Sequence, residues 1–192
     1  MAFPIATAPS TRLDELVEAI RDTVRLERTP AETAHLVAAR LEPFLALPDL
    51  VPPQFRAGGP DGYRQHVVHA EDDGSFSLVA LVWEPGQRTP IHDHVAWCVA
   101  GVHEGAETEE RYEMRGLDGP VRLVPAGRTV NPAGTAVGFA PPGDIHSVRN
   151  AGDSTVIAIH VYGADISRLG TSVRRLYRYP VADAEASGES FG

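Results

Sequence analysis

Two histidines stand one residue apart at His92-Asp93-His94, in the stretch Pro85 to His94 that otherwise reads as β-strand. Side chains at i and i+2 of a strand share one face, roughly 6.6 Å apart along it, so both imidazoles can reach one metal ion at about 2.0–2.1 Å. A third histidine, His146, follows the turn-forming run Pro141-Pro142-Gly143-Asp144, which would bring a second strand back across the first. His92, His94 and His146 are therefore the candidate metal ligands. Imidazole suits iron, zinc, copper and nickel alike, so the ligand type by itself leaves the metal open.

The remaining titratable residues have plainer readings. His35 sits among Ala and Leu in a helical pattern, and His66, His69 and His103 belong to no motif. Asp93 should point away from the histidine pair and hold a loop or a ligand's ring N–H. The acidic run Glu107-Thr108-Glu109-Glu110 reads as a solvated face, and Arg168, Arg174 and Arg175 as surface partners of the acidic excess. The lone Cys98 excludes an intramolecular disulfide and a multi-cysteine zinc site; it is either a reactive thiol or a small buried gap-filler.

The elements that must position these residues fall into two textures. Leu13, Leu16, Val17, Ile20 and Val24 follow the spacing of an amphipathic helix capped by Ser10 or Thr11. Thr29-Pro30-Ala31-Glu32 opens a second helix with an N-cap, a proline at N1 and an acidic N3 residue, and Pro48, Pro52 and Pro53 stop it. Beyond Gly58-Gly59-Pro60-Asp61-Gly62 come short β-rich runs: Tyr63–His69, Ser75–Glu84, Thr89–His94, Cys98–Glu104, Glu109–Arg115, Arg122–Pro125, Thr135–Ala140, Ser147–Asn150 and Thr155–Tyr162. With no helix between them they point to a mainly β sandwich or barrel, with Asp72-Asp73-Gly74 and Ala151-Gly152-Asp153 as hairpin turns. The expected organisation is a helical segment over 1–55 packing on a barrel over 56–181, followed by a small, acidic, mobile tail over 182–192.

A chain of 192 residues that is 43% hydrophobic can bury one full core. Its net charge of −9 and lack of any Lys/Arg run argue against nucleic acid or an anionic membrane, whose binding depends on phosphate neutralisation. The expected partner is a small molecule. No secretory leader pattern and no apolar run of about 20 residues is present, so the protein reads as soluble and cytoplasmic, a monomer or small homo-oligomer.

Gly86, His92-Asp93-His94, Cys98 and Gly105 have the spacing of the first cupin motif, and Pro141 to Asn150 resembles the second. The resemblance implies a cupin double-stranded β-helix, a jelly-roll barrel, with the metal held inside by both motifs. Common cupins place a glutamate after the His-x-His as a fourth ligand; here Cys98 stands in its place, which implies a three-histidine site. Neutral ligands leave a divalent ion its full charge and open positions that suit a thiolate and dioxygen. The wider string Tyr63-Arg64-Gln65, Trp83-Glu84-Pro85-Gly86 and Thr89 to His94 resembles the bacterial cysteine dioxygenase and 3-mercaptopropionate dioxygenase family, with similarity running from Tyr63 to Tyr179.

That resemblance implies an Fe(2+) enzyme that adds both atoms of O2 to the sulfur of a small thiol carboxylate, giving the sulfinic acid. Relatives carry a Ser-x-His-x-Tyr relay; His160 and Tyr162 match it, and Ala158 replaces the serine. Gln65, or the adjacent Arg64, would grip the substrate carboxylate, and strand alternation lets only one of them face inward. In animal relatives a cysteine near the iron is joined to the relay tyrosine through a thioether, which makes Cys98 and Tyr162 a candidate crosslink. A three-histidine dioxygenase acting on a carbon substrate and a non-catalytic metal-binding sensor are the alternatives.

Overall fold

The computed structural model describes residues 11–116 and 120–182. Thr11 and Asp14 close a capping box that starts α1 (Arg12–Val24), and Thr29 and Glu32 close a second one at α2 (Pro30–Leu45). Each box satisfies backbone N–H groups that a helix start leaves without partners. The inward stripe of Leu16, Val17 and Ile20 on α1 meets Ala34, Val37, Ala38 and Leu41 on α2 in one apolar cluster.

Among the described residues ten strands follow: β1 (Arg64–Ala70), β2 (Ser77–Trp83), β3 (His92–His94), β4 (Cys98–Glu104), β5 (Ala106–Arg115), β6 (Arg122–Pro132), β7 (Ala136–Phe139), β8 (His146–Arg149), β9 (Val156–Tyr162) and β10 (Val173–Leu176). A short helix, α3 (Ile166–Leu169), precedes β10. One sheet has the order β1-β2-β9-β4-β7 and the other β10-β3-β8-β5-β6, with antiparallel pairing throughout. After β2 the chain crosses from one sheet to the other at every connection except the β5–β6 hairpin. This winding makes the barrel a double-stranded β-helix, the mainly β architecture expected from the two motifs.

Alternation along the central strands assigns each face its task. On β2, Leu78, Ala80 and Val82 join the cluster beneath the helices, while Val79, Leu81 and Trp83 line the barrel interior. On β9, Ile157, Ile159 and Val161 face the helices, leaving Ala158, His160 and Tyr162 on the interior side. Both strands are buried along their whole length, so they read as continuous apolar runs.

Several elements differ from the sequence expectations. β5 begins at Ala106, and Glu107, Thr108 and Glu109 are buried; the acidic run is not a solvated face, because β5 is covered by the opposite sheet. β6 continues past Pro125 to Pro132, paired along its length with the long strand β5. Ala151-Gly152-Asp153 joins β8 to β9 in the other sheet, so it is a crossover and not a hairpin. β10 and α3 are additional. Ala182, placed in the tail from sequence, is tied down by its N–H donating to the Leu123 carbonyl at 2.8 Å. The rest of the expected tail lies outside the described residues. Among the described residues no helix is long and apolar enough to cross a membrane.

α2 rests on the first sheet at Gly101 and Gly138. A Cβ on Gly138 would fall on the backbone carbonyl of Ala34, which cannot yield as a side chain would. Gly138→Ala is expected to lower stability by about 1–3 kcal/mol by lifting α2 off β7. Denaturant unfolding of the variant against the parent chain checks this.

Candidate metal centre

β3 places His92 and His94 on one face, and antiparallel pairing with β8 sets His146 directly opposite His92. The three rings lie with centroids 4.7, 4.8 and 5.0 Å apart, all buried, and their ligand nitrogens lie within 4.8 Å of one another. The structure thus brings the three histidines together in an arrangement that could hold one metal ion.

The rings' outer nitrogens determine their chemistry. His92 Nδ1 donates to the Pro90 carbonyl at 3.0 Å, His94 Nδ1 to Asp144 Oδ2 at 3.1 Å, and His146 Nδ1 to Glu109 Oε1 at 2.8 Å. All three acceptors are oxygens with no proton to give, so each ring donates from Nδ1 and turns Nε2 inward, where the neutral form presents its lone pair. Burial, reinforced by repulsion from His146 and His94, pushes His92 down to about 3, and burial also lowers His94. A ring kept neutral is ready to ligate. Burial alone would raise Glu109 and Asp144, but their bonds to His146 and His94 outweigh it and hold both carboxyls below the usual range. Asp144 Oδ2 also accepts the backbone N–H of His94 at 2.9 Å.

The cluster opens into a narrow interior cavity of about 20 Å³, lined on the other side by Gln65, Trp83, His160, Tyr162 and Ser172. Gln65 pairs with Leu81, an interior position, and reaches the cavity; Arg64 pairs with Val82 on the opposite face, and its guanidinium lies against Gly59. Arg64 is thus turned away from the cavity by the alternation of β1. Tyr63 stacks on Trp83 with centroids 4.2 Å apart, and its hydroxyl meets the Gln65 side chain. The Tyr162 hydroxyl lies 3.0 Å from His160 Nδ1. Burial holds His160 down at about 3 and pushes Tyr162 well up, so both stay neutral. Among the described residues His160 Nε2 is buried without a partner, and Ala158, two residues upstream on the same face, has no hydroxyl to offer it. Cys98 is fully buried and is the direct cross-strand partner of Tyr162. Burial raises its thiol well above the usual value, so it is protonated.

Asp93 faces outward from the pair, as alternation requires, but holds no ligand ring. Its Oδ2 accepts from Arg175 at 2.6 and 3.0 Å and from the Tyr177 hydroxyl at 2.9 Å, fastening β10 to β3. His35, His66, His69 and His103 lie outside the cluster, the last three bonded to Ala57, Glu71 and Leu45. Sequence reasoning missed Glu109, Asp144 and Ser172. The period-two placement of Glu107 and Glu109 within β5 was the available signal for the first.

No family model matches the chain. Among solved structures, it is similar to a conserved protein with a double-stranded β-helix domain from Klebsiella pneumoniae (18% identity, 58% of this chain and 80% of that one, TM-score 0.47). It is also similar to a cupin superfamily protein from Desulfitobacterium hafniense (8%, 62% and 89%, 0.44) and to a protein of Thermus thermophilus (20%, 58% and 91%, 0.43).

Two outcomes follow from this geometry. Removing the carboxylate that orients His146, with Glu109→Ala, is expected to weaken metal affinity by about 10–100-fold, measured by competition with a chelator. Glu107, buried beside Trp83 and Glu109, is pushed up to about 7, first by burial and then by Glu109. A carboxyl raised on folding holds its proton more tightly in the native state, so its stabilising contribution is full at acid pH and is lost as pH rises through about 7. Glu107→Gln should therefore gain stability relative to the parent between about pH 5 and about pH 8, by up to about 3 kcal/mol, read from urea midpoints across that range.

Proposed function

We propose that this protein is an iron-dependent thiol dioxygenase that adds both atoms of O2 to the sulfur of a small thiol carboxylate, L-cysteine or 3-mercaptopropionate, to give the sulfinic acid. The observation that carries the reading is that one cavity collects the three-histidine cluster, the Gln65 amide and the His160–Tyr162 pair. Bound Fe(2+) would supply a charge that lowers the thiol pKa and adjacent open positions for sulfur and dioxygen.

The chain's own residues have separable tasks. His92, His94 and His146 are neutral ligands, so no protein carboxylate competes with an anionic substrate for the cation's charge. Gln65, steadied by Tyr63 on Trp83, offers an amide N–H to the substrate carboxylate at the mouth. Leu81, Trp83 and Val148 wall the cavity and keep water out. Tyr162, its hydroxyl set by His160 Nδ1, donates a hydrogen bond to the reacting groups and moves a proton there. The Cys98–Tyr162 pairing supports a thioether as well: loss of one hydrogen from the thiol and one from the ring, both electrons taken by dioxygen, would join sulfur to the ring.

Iron-loaded protein is expected to consume oxygen with cysteine or 3-mercaptopropionate and yield a product heavier by two oxygen atoms, identified by mass and NMR. Tyr162→Phe should lower kcat by about 10²-fold or more with a smaller change in KM. Gln65→Ala should chiefly raise KM. Binding of thiol without oxygen uptake at any oxygen level would replace this reading with that of a sensor.

A further inference from the structure

A cavity lies on the outer face of the second sheet, behind the strands that carry the histidines. It has a volume of about 710 Å³, in the usual range for small-molecule sites, and Arg88, Ile91, Tyr112, Ser147, Arg149 and Tyr177 line it. Ser147 and Arg149 alternate with the inward-facing His146 and Val148, which sets the groove on the far side of β8 from the metal centre.

Its charges are arranged against their own interest. Arg88 and Arg149 are antiparallel bridge partners, and like charges directly opposite one another across strands are destabilising. Among the described residues neither forms an ion pair, in a chain with 26 acidic and 17 basic side chains. Arg149 Nε is buried and has no acceptor among the described residues. The one carboxylate lining the groove, Glu110, accepts the Tyr112 hydroxyl at 2.9 Å and lies 3.9 Å from Arg128. An oxyanion between the two guanidinium groups would relieve their repulsion and satisfy the buried donor, with geometry suited to forked hydrogen bonding.

We propose that this groove is a second binding site, taking a small molecule whose carboxylate or phosphate is held by Arg88 and Arg149 and whose body rests against Tyr112 and Tyr177. The site is independent of the metal and of the reaction proposed above. Ile91 and Ser147, which adjoin His92 and His146 in the chain, both line it.

Calorimetric titration of the full chain with inorganic phosphate and, separately, with benzoate tests the site and distinguishes the two headgroups by which binds more tightly. Saturable binding of either is expected, weakened about tenfold or more by R149A and by R88A, the loss of one charge-assisted hydrogen bond, and unchanged by R40A. Arg88 is exposed, so R88A reports on the site even if R149A does not fold. Absence of saturable binding by both anions, or an affinity that neither R88A nor R149A alters, would overturn the proposal.

Discussion

The cross-strand pairing of His92 with His146 is the contact on which the centre depends. β3 is only three residues long, and a slip of one residue would turn both of its histidines outward and bring Asp93 in. The register is secured from both sides. β8 pairs with it at His92, and β10 pairs along its other edge, clamped by Arg175 and Tyr177 onto the outward Asp93 carboxylate. The two faces of β3 thus divide the work: the even positions supply two of the three clustered histidines and the odd position holds the strand in place.

Electrostatics completes what register begins. Three neutral imidazoles leave a bound dication its full charge, and the buried carboxylates that offset it stand one hydrogen bond further out, at Glu109 and Asp144. Each is kept ionised by the ring it orients. Glu107 shares their interior but has no histidine to pair with, and burial beside Glu109 raises it to about 7. The barrel therefore holds ionised carboxylates where they orient the clustered histidines and a far weaker acid where they do not. On the opposite wall, Tyr162 and His160 stay neutral because burial disfavours the charged form of both.

The parts legible in the sequence were those governed by local rules. The helix start at Ser10 or Thr11, the cap at Thr29, the strand runs Ser75–Glu84 and Thr155–Tyr162, and the same-face pair His92 and His94 all depend on near neighbours in the chain. What was illegible depends on pairing between distant segments. Glu107 and Glu109 look solvated until β5 is covered by the other sheet, and β10 has only Val173 and Leu176 as apolar residues, too weak a pattern to mark a strand. The choice between Gln65 and Arg64 needed the β1–β2 register, which sets Gln65 opposite interior Leu81. The ring N–H that Asp93 was one candidate to hold goes to Asp144 for the same reason: the turn before β8, and not the residue between the histidines, brings a carboxylate to His94.

X-ray absorption at the iron edge of the iron-loaded protein tests the central claim most directly. The account predicts a first shell with three imidazole nitrogens and otherwise only water oxygens, gaining one sulfur when 3-mercaptopropionate is added without oxygen. A protein carboxylate or the Cys98 sulfur in that shell before thiol is added, or no sulfur after it, would contradict the account.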